Sequence, residues 1–131
     1  MISVDTNLVV RLVTADEPAQ AARAAALFRK EDVHVSDTVL LETEWVLRHA
    51  YALDGVTIRA ALRRLLGLPN VHVADLALVA NALSWNERGL DFADALHLAA
   101  SARAGAKGFA TFDRRLARRA DKVSGVTAFV P

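Results

Sequence analysis

A chain of 131 residues with 53% apolar content is long enough for one domain, buries roughly two-thirds of its unfolded surface, and is not a disordered segment. Sixteen Lys and Arg against fifteen Asp and Glu leave a net charge of +1, so the distribution of charge, not its sum, must decide whether a nucleic acid is a partner. The absence of cysteine excludes disulfides and thiolate metal sites, no basic block precedes an apolar one as in a signal peptide, and no apolar run spans a bilayer; a soluble, cytoplasmic protein is expected.

The opening run Ile2-Ser3-Val4 leads into Asp5-Thr6-Asn7 and then into the apolar stretch Leu8 to Val13. This reads as a strand, a tight turn and a helix. In an open α/β sheet the carboxyl end of a strand is where ligands bind, but Asp5 would equally well cap the helix. Asp16-Glu17-Pro18 breaks the chain and restarts it as an Ala-rich helix over residues 19–30, with Ala22, Ala25, Ala26 and Leu27 as its small-residue face. Val33 to Ser36 alternates as a second strand, and Ser36 or Asp37 caps a helix from Thr38 to about Ala52. A fourth helix over residues 56–66 sets Ile58, Leu62, Leu65 and Leu66 against Arg59, Arg63 and Arg64, which read as plain surface. Val71-His72-Val73 is a third strand, Asp75 caps the helix that ends before Gly89, and Asp91 opens another that ends at Gly105. Phe109 to Phe112 is a fourth strand, Asp113 starts a basic helix, and Val126 to Val130 is the last strand. Short strands alternating with helices predict an α/β protein: three layers, with helices on both faces of a mostly parallel central sheet of four to five strands, in a single domain over residues 1–131.

Acids follow every one of the first four strands, and each has a capping role open to it. Two sites are harder to dismiss because they sit among apolar residues. Glu42 and Glu44 lie within Val39 to Leu47, and helical spacing cannot choose between them, since Glu42 shares a face with Val39, Trp45 and Val46, and Glu44 with Leu40, Leu41, Leu47 and Arg48. Asp94 lies one turn from Asp91 and from His97, within Phe92-Ala93-Asp94-Ala95-Leu96. Asp91 reads more simply as a cap with Asp94 as a first-turn acid. Trp45, Trp85 and Phe92 read as core or interface.

Val4-Asp5-Thr6-Asn7, Glu42-Thr43-Glu44-Trp45-Val46-Leu47, Asp91-Phe92-Ala93-Asp94-Ala95-Leu96 and Thr111-Phe112-Asp113 together resemble the PIN-domain ribonucleases, above all the toxin halves of bacterial VapBC-type toxin–antitoxin pairs. The resemblance runs over essentially the whole chain; no one motif is specific, and the four in this order are. It implies a metal-dependent endoribonuclease with Asp5, Glu42, Asp94 and Asp113 as catalytic, metal-binding acids. Asn7, Thr111 and Asp91 match supporting positions, and Glu44 and His97 match none. It also implies an RNA substrate, a cognate antitoxin protein, a homodimer and no membrane.

Physical chemistry accords with that set. Two ionised carboxylates about 4 Å apart repel by roughly 4 kcal/mol at an effective dielectric near 20, so four acids brought together need protons or a cation among them. All-oxygen ligands select a hard ion, Mg²⁺ or Mn²⁺, before Zn²⁺. Such an ion activates water for phosphodiester hydrolysis, with Asp94 or Glu42 orienting or deprotonating that water. Arg114, Arg115 and Arg118, followed by Arg119 and Lys122, would hold substrate phosphates, though a solvated helix face explains them too. An Asp94-x-x-His97 metal pair lacks a second well-placed histidine, because His34, His49 and His72 are scattered. A phosphoryl-acceptor role for Asp5 lacks the acid required at position 7, which is Asn. A non-catalytic PIN-fold module that binds protein or RNA is the alternative, using an apolar groove left by the helix pairs at residues 7–30 and 38–66.

Overall fold

Four of the five strands are two-residue segments that run within three residues into a capped helix. In the computed structural model, which describes residues 1–131, the order is β1 (Ile2–Ser3), α1 (Thr6–Thr14), α2 (Pro18–Lys30), β2 (Val33–His34), α3 (Asp37–His49), α4 (Gly55–Leu66), β3 (Val71–His72), α5 (Leu76–Glu87), α6 (Phe92–Arg103), β4 (Phe109–Ala110), α7 (Arg114–Ser124) and β5 (Ala128–Phe129). The chain divides into two compact units, Met1–Ala74 and Asp75–Pro131.

In the first unit the strands pair in the order β1-β2-β3, all parallel, with Ile2 opposite Val33 and Val33 opposite Val71. Helix α1 packs on α2 and α3, and α3 on α4. Val9, Val10, Val33, Val35, Leu40, Leu47, Ile58 and Leu62 are almost wholly removed from water between them. A polar network ties the end of α1 to the turn after α3. Arg11 donates to Asp16 at 3.1 Å and to the Tyr51 hydroxyl at 2.9 Å, and Tyr51 donates to Asp16 at 2.7 Å. The Tyr51 and Thr14 hydroxyls, with the Arg11 charge, hold the Asp16 carboxyl below its ordinary range. In the second unit α5 packs on α6, and α6 on α7, around Val79, Ala82, Leu83, Phe92, Ala95, Leu98 and Ala120. Strands β4 and β5 pair in parallel, Phe109 opposite Ala128.

All five expected strands are present and every pairing is parallel, in a three-strand ladder in one unit and a two-strand ladder in the other. The strands are shorter than the sequence suggests, because the caps take the backbone away after two paired residues. In α2 the buried residues are Ala24 and Phe28, not Ala22, Ala25, Ala26 and Leu27; an Ala-rich helix has little hydrophobic gradient of its own, and the bulky ring sets its rotation. Trp45 is not core: it is 54% exposed, its ring 4.6 Å from that of His49. His34 and His72 are not scattered either, since they are register partners on β2 and β3.

The structure also separates the two α3 glutamates. Glu44 is buried and takes Arg48 in a two-point contact, Nε at 2.9 Å and Nη2 at 3.1 Å, whereas Glu42 faces water. Glu44→Ala should therefore cost about 1–3 kcal/mol by urea denaturation, from the loss of a buried carboxylate and its two hydrogen bonds to an exposed arginine. Glu42→Ala should stay within about 0.5 kcal/mol, as exposed substitutions do.

Candidate active site

Most of the candidate acids begin as helix caps. Asp5 sits in extended backbone after β1, and its Oδ1 accepts the Leu8 N–H at 3.0 Å. Asp113 does the same after β4, its Oδ1 accepting from Leu116 at 3.0 Å. Asp91 caps α6, its Oδ2 accepting the N–H groups of Ala93 at 3.1 Å and Asp94 at 3.4 Å. All three therefore cap helices, and the cap does not exhaust Asp5 and Asp113: one oxygen held by a helix N-terminus fixes the carboxylate and leaves the other without a cap to serve. Asp94 is different. It caps nothing and lies half-buried on the first turn of α6.

In the first unit Asp5 and Asn7 line a cleft of about 420 Å³ together with Arg11, Gln20 and Arg23. Glu42 lies on the exposed side of α3 and does not line it. In the second unit Asp91, Asp94 and Asp113 line one cleft of about 240 Å³ with Gly89, Arg115 and Arg119. Burial, then the charges of Asp91 and Asp113, raise the proton affinity of Asp94 above that of an ordinary carboxyl, opposed only by His97. Thr111 has a definite task there, because its Oγ1 accepts the Asp113 N–H at 3.0 Å and so fixes the turn that aims the acid. Within neither unit do three Asp, Glu or His side chains converge closely enough to hold a metal ion by themselves. The acidic donors in the second unit's cleft are nonetheless all carboxylate oxygens, and the charges of Asp91 and Asp113, which add to burial in raising Asp94, are the repulsion that a hard divalent cation relieves.

Of the three arginines expected to hold substrate, Arg115 lines the acid cleft, while Arg114 and Arg118 lie exposed along α7. Arg119, also in the cleft, is tied down: it donates to the carbonyls of Gly89 at 3.0 Å and Arg88 at 3.3 Å. Arg88 reciprocates by donating to the carbonyls of Val123 at 2.7 Å and Lys122 at 3.2 Å, at the end of α7. The sequence gives no sign of this exchange, whose partners stand some thirty residues apart, nor of Arg11 and Arg23 beside Asp5.

A family model described as PIN domain matches residues 2–122. The chain belongs to the PIN-domain family. No curated protein matches its sequence significantly. Among solved structures, this PIN domain is similar to VapC20 of Mycobacterium tuberculosis, described as a toxin that cleaves the sarcin-ricin loop. The two are 24% identical, with a TM-score of 0.43, over 82% of this chain and 86% of that one. The α/β class and parallel strands accord with the family, and no helix is long and apolar enough to cross a membrane.

The crowding at Asp94 has a measurable sign. A carboxyl whose folded-state proton affinity is raised costs stability when ionised, and that cost disappears as pH falls through its folded pKa toward its unfolded one. Asp94→Asn should raise the thermal midpoint of the metal-free protein at pH 7. The advantage over the parent should shrink steadily as melts are repeated toward pH 4.

Proposed function

We propose that this PIN domain is a metal-dependent endoribonuclease, the toxin half of a type II toxin–antitoxin pair, acting in the cytoplasm and neutralised by a cognate antitoxin protein. The observation that carries the reading is the family match over residues 2–122, which runs through Asp5, Glu42, Asp94 and Asp113 and across the division between the two units; it supports treating residues 1–131 as one PIN domain. The toxin assignment rests on the resemblance of the four motifs. A groove of about 400 Å³ lined by Leu12, Val13, Ala61, Leu65 and Leu68, with Arg64 as its one charged residue, supports a protein partner with an apolar segment, and a homodimer is part of the same reading.

Asp5, Glu42, Asp94 and Asp113 would hold Mg²⁺ or Mn²⁺, which when bound supplies an activated water and neutralises charge on the phosphate. Asp5 and Asp113 offer the oxygens that capping leaves over. Asp94 has neither carboxylate oxygen committed to a cap, which suits it to orient the attacking water and receive its proton; Glu42, exposed on α3, shares that freedom. Asp91 keeps the first turn of α6 in place, Thr111 aims Asp113, and Asn7 stands beside Asp5 as a neutral hydrogen-bonding group. Arg115, with Arg114 and Arg118 further along α7, binds the phosphate backbone without reading sequence.

Purified, partner-free protein incubated with total cellular RNA and Mg²⁺ or Mn²⁺ should give discrete cuts that a chelator abolishes. Asp5→Asn and Asp94→Asn should each lose on the order of a hundredfold or more in rate. Because water and not the ribose hydroxyl attacks, a 2′-deoxy substitution at the mapped cut should leave cleavage measurable. Cuts that survive both substitutions would sink the assignment of these acids. A folded protein that cuts nothing would instead favour the non-catalytic binding module.

A further inference from the structure

Immediately before Asp113 the chain exposes an aromatic ring. Phe112 is 83% accessible, more than any other large apolar side chain of the protein. Its neighbours are fixed on both sides. The Thr111 N–H donates to the Phe129 carbonyl at 2.9 Å, the Thr111 hydroxyl accepts the Asp113 N–H, and Asp113 caps α7. The backbone that carries Phe112 is therefore anchored on both sides, and the ring itself is packed against little. Folding gains almost nothing from an apolar side chain left in water. The helix that follows carries Arg114, Arg115, Arg118, Arg119 and Lys122 against the single acid Asp121, and the adjacent residue Asp113 lines the acid cleft.

We infer that Phe112 is a stacking platform for a base of a single-stranded RNA substrate, holding the nucleotide next to the phosphate that Asp113 and its neighbours address. This rests on the ribonuclease reading and adds a contact that reads no sequence. An exposed ring beside a basic surface is the pairing by which single strands are bound, the cations following the backbone and the π-face accepting whichever base arrives. The charge favours a polyanion over an apolar protein surface. A paired RNA helix keeps its bases stacked inside, so a site built on Phe112 selects loops, bulges and unpaired ends.

The test is binding of a fluorescein-labelled, mixed-sequence RNA of about twelve nucleotides, within the span such sites cover, in chelator so that it is not cut. It is repeated with one nucleotide at a time made abasic, and cleavage of total RNA with Mn²⁺ is measured on the same preparations. Phe112→Ala should weaken binding about five- to a hundredfold, the range for one lost stacking contact. Phe112→Leu should fall with Ala, while Phe112→Trp should bind at least as well as the parent. One abasic position should weaken the parent and leave Phe112→Ala unchanged. Equal binding by Phe112→Ala and the parent overturns the inference, and does so with metal-dependent cleavage, and hence the ribonuclease reading, intact. Leu binding as tightly as Phe overturns stacking in favour of simple apolar contact. A Phe112→Ala protein that binds RNA normally but changes from dimer to monomer assigns the ring to an interface between copies. A parent chain that neither binds the probe nor cuts RNA takes the ribonuclease reading down together with the stacking.

Discussion

One contact, an acidic oxygen on a free helix N–H, sets most of this structure. Six of the seven helices begin at an acid: Asp5, Glu17, Asp54, Asp75, Asp91 and Asp113 accept from the first turn, and Ser36 does so for α3. The four orphan N–H groups of a helix start are satisfied best by such side chains, and a negative charge there also opposes the helix dipole. Where the cap follows a strand, it stops the strand. The two-residue ladders, the abrupt turns and the position of the carboxylates are one consequence seen three ways. At Asp5 and Asp113 capping takes one oxygen and fixes the direction of the other.

The second unit brings this furthest. Its cleft gathers three carboxylates, one of them raised in proton affinity by burial and by the other two, beside arginines that serve different ends. Arg119 and Arg88 spend their guanidinium groups on backbone carbonyls and hold α7 against the turn between α5 and α6. Arg115 shares the cleft, and Arg114 and Arg118 stand out along the helix. A guanidinium keeps its charge at any physiological pH and presents several donors in a fixed plane, so the same residue type can brace the wall and face a polyanion.

Much of this was legible in the sequence, for identifiable reasons. A β-branched or aromatic run ending in an acid announces both the strand and the cap at β1, β3 and β4, and the seven helices lie near the limits the sequence suggests, whereas each strand is shorter. Legibility failed where direction, not type, was at issue. Periodicity could not separate Glu42 from Glu44, and only burial and the Arg48 contact did. The small-residue face of α2 does not tell its rotation, because alanines report no preferred face, and burial falls on Ala24 and Phe28. Trp45 reads as core or interface and is exposed, and Phe112 reads as a strand residue and stands out in water, since an apolar side chain does not declare which way it will point. The arginine exchange between residues 88 and 119 pairs groups too far apart in sequence for any local pattern to show.

Gly89 lies in the turn between α5 and α6. Its backbone lies at φ +106°, and a Cβ there would fall 2.6 Å from the Arg119 Nη2, on the side chain that grips the Gly89 carbonyl. Any other residue would bring backbone strain and displace the brace at one stroke. A gene copy could thus lose this brace at a codon that encodes no acid and belongs to no motif. Such a copy, with Asp5, Glu42, Asp94 and Asp113 all in place, would be counted as intact by anyone surveying genomes for the acidic signature.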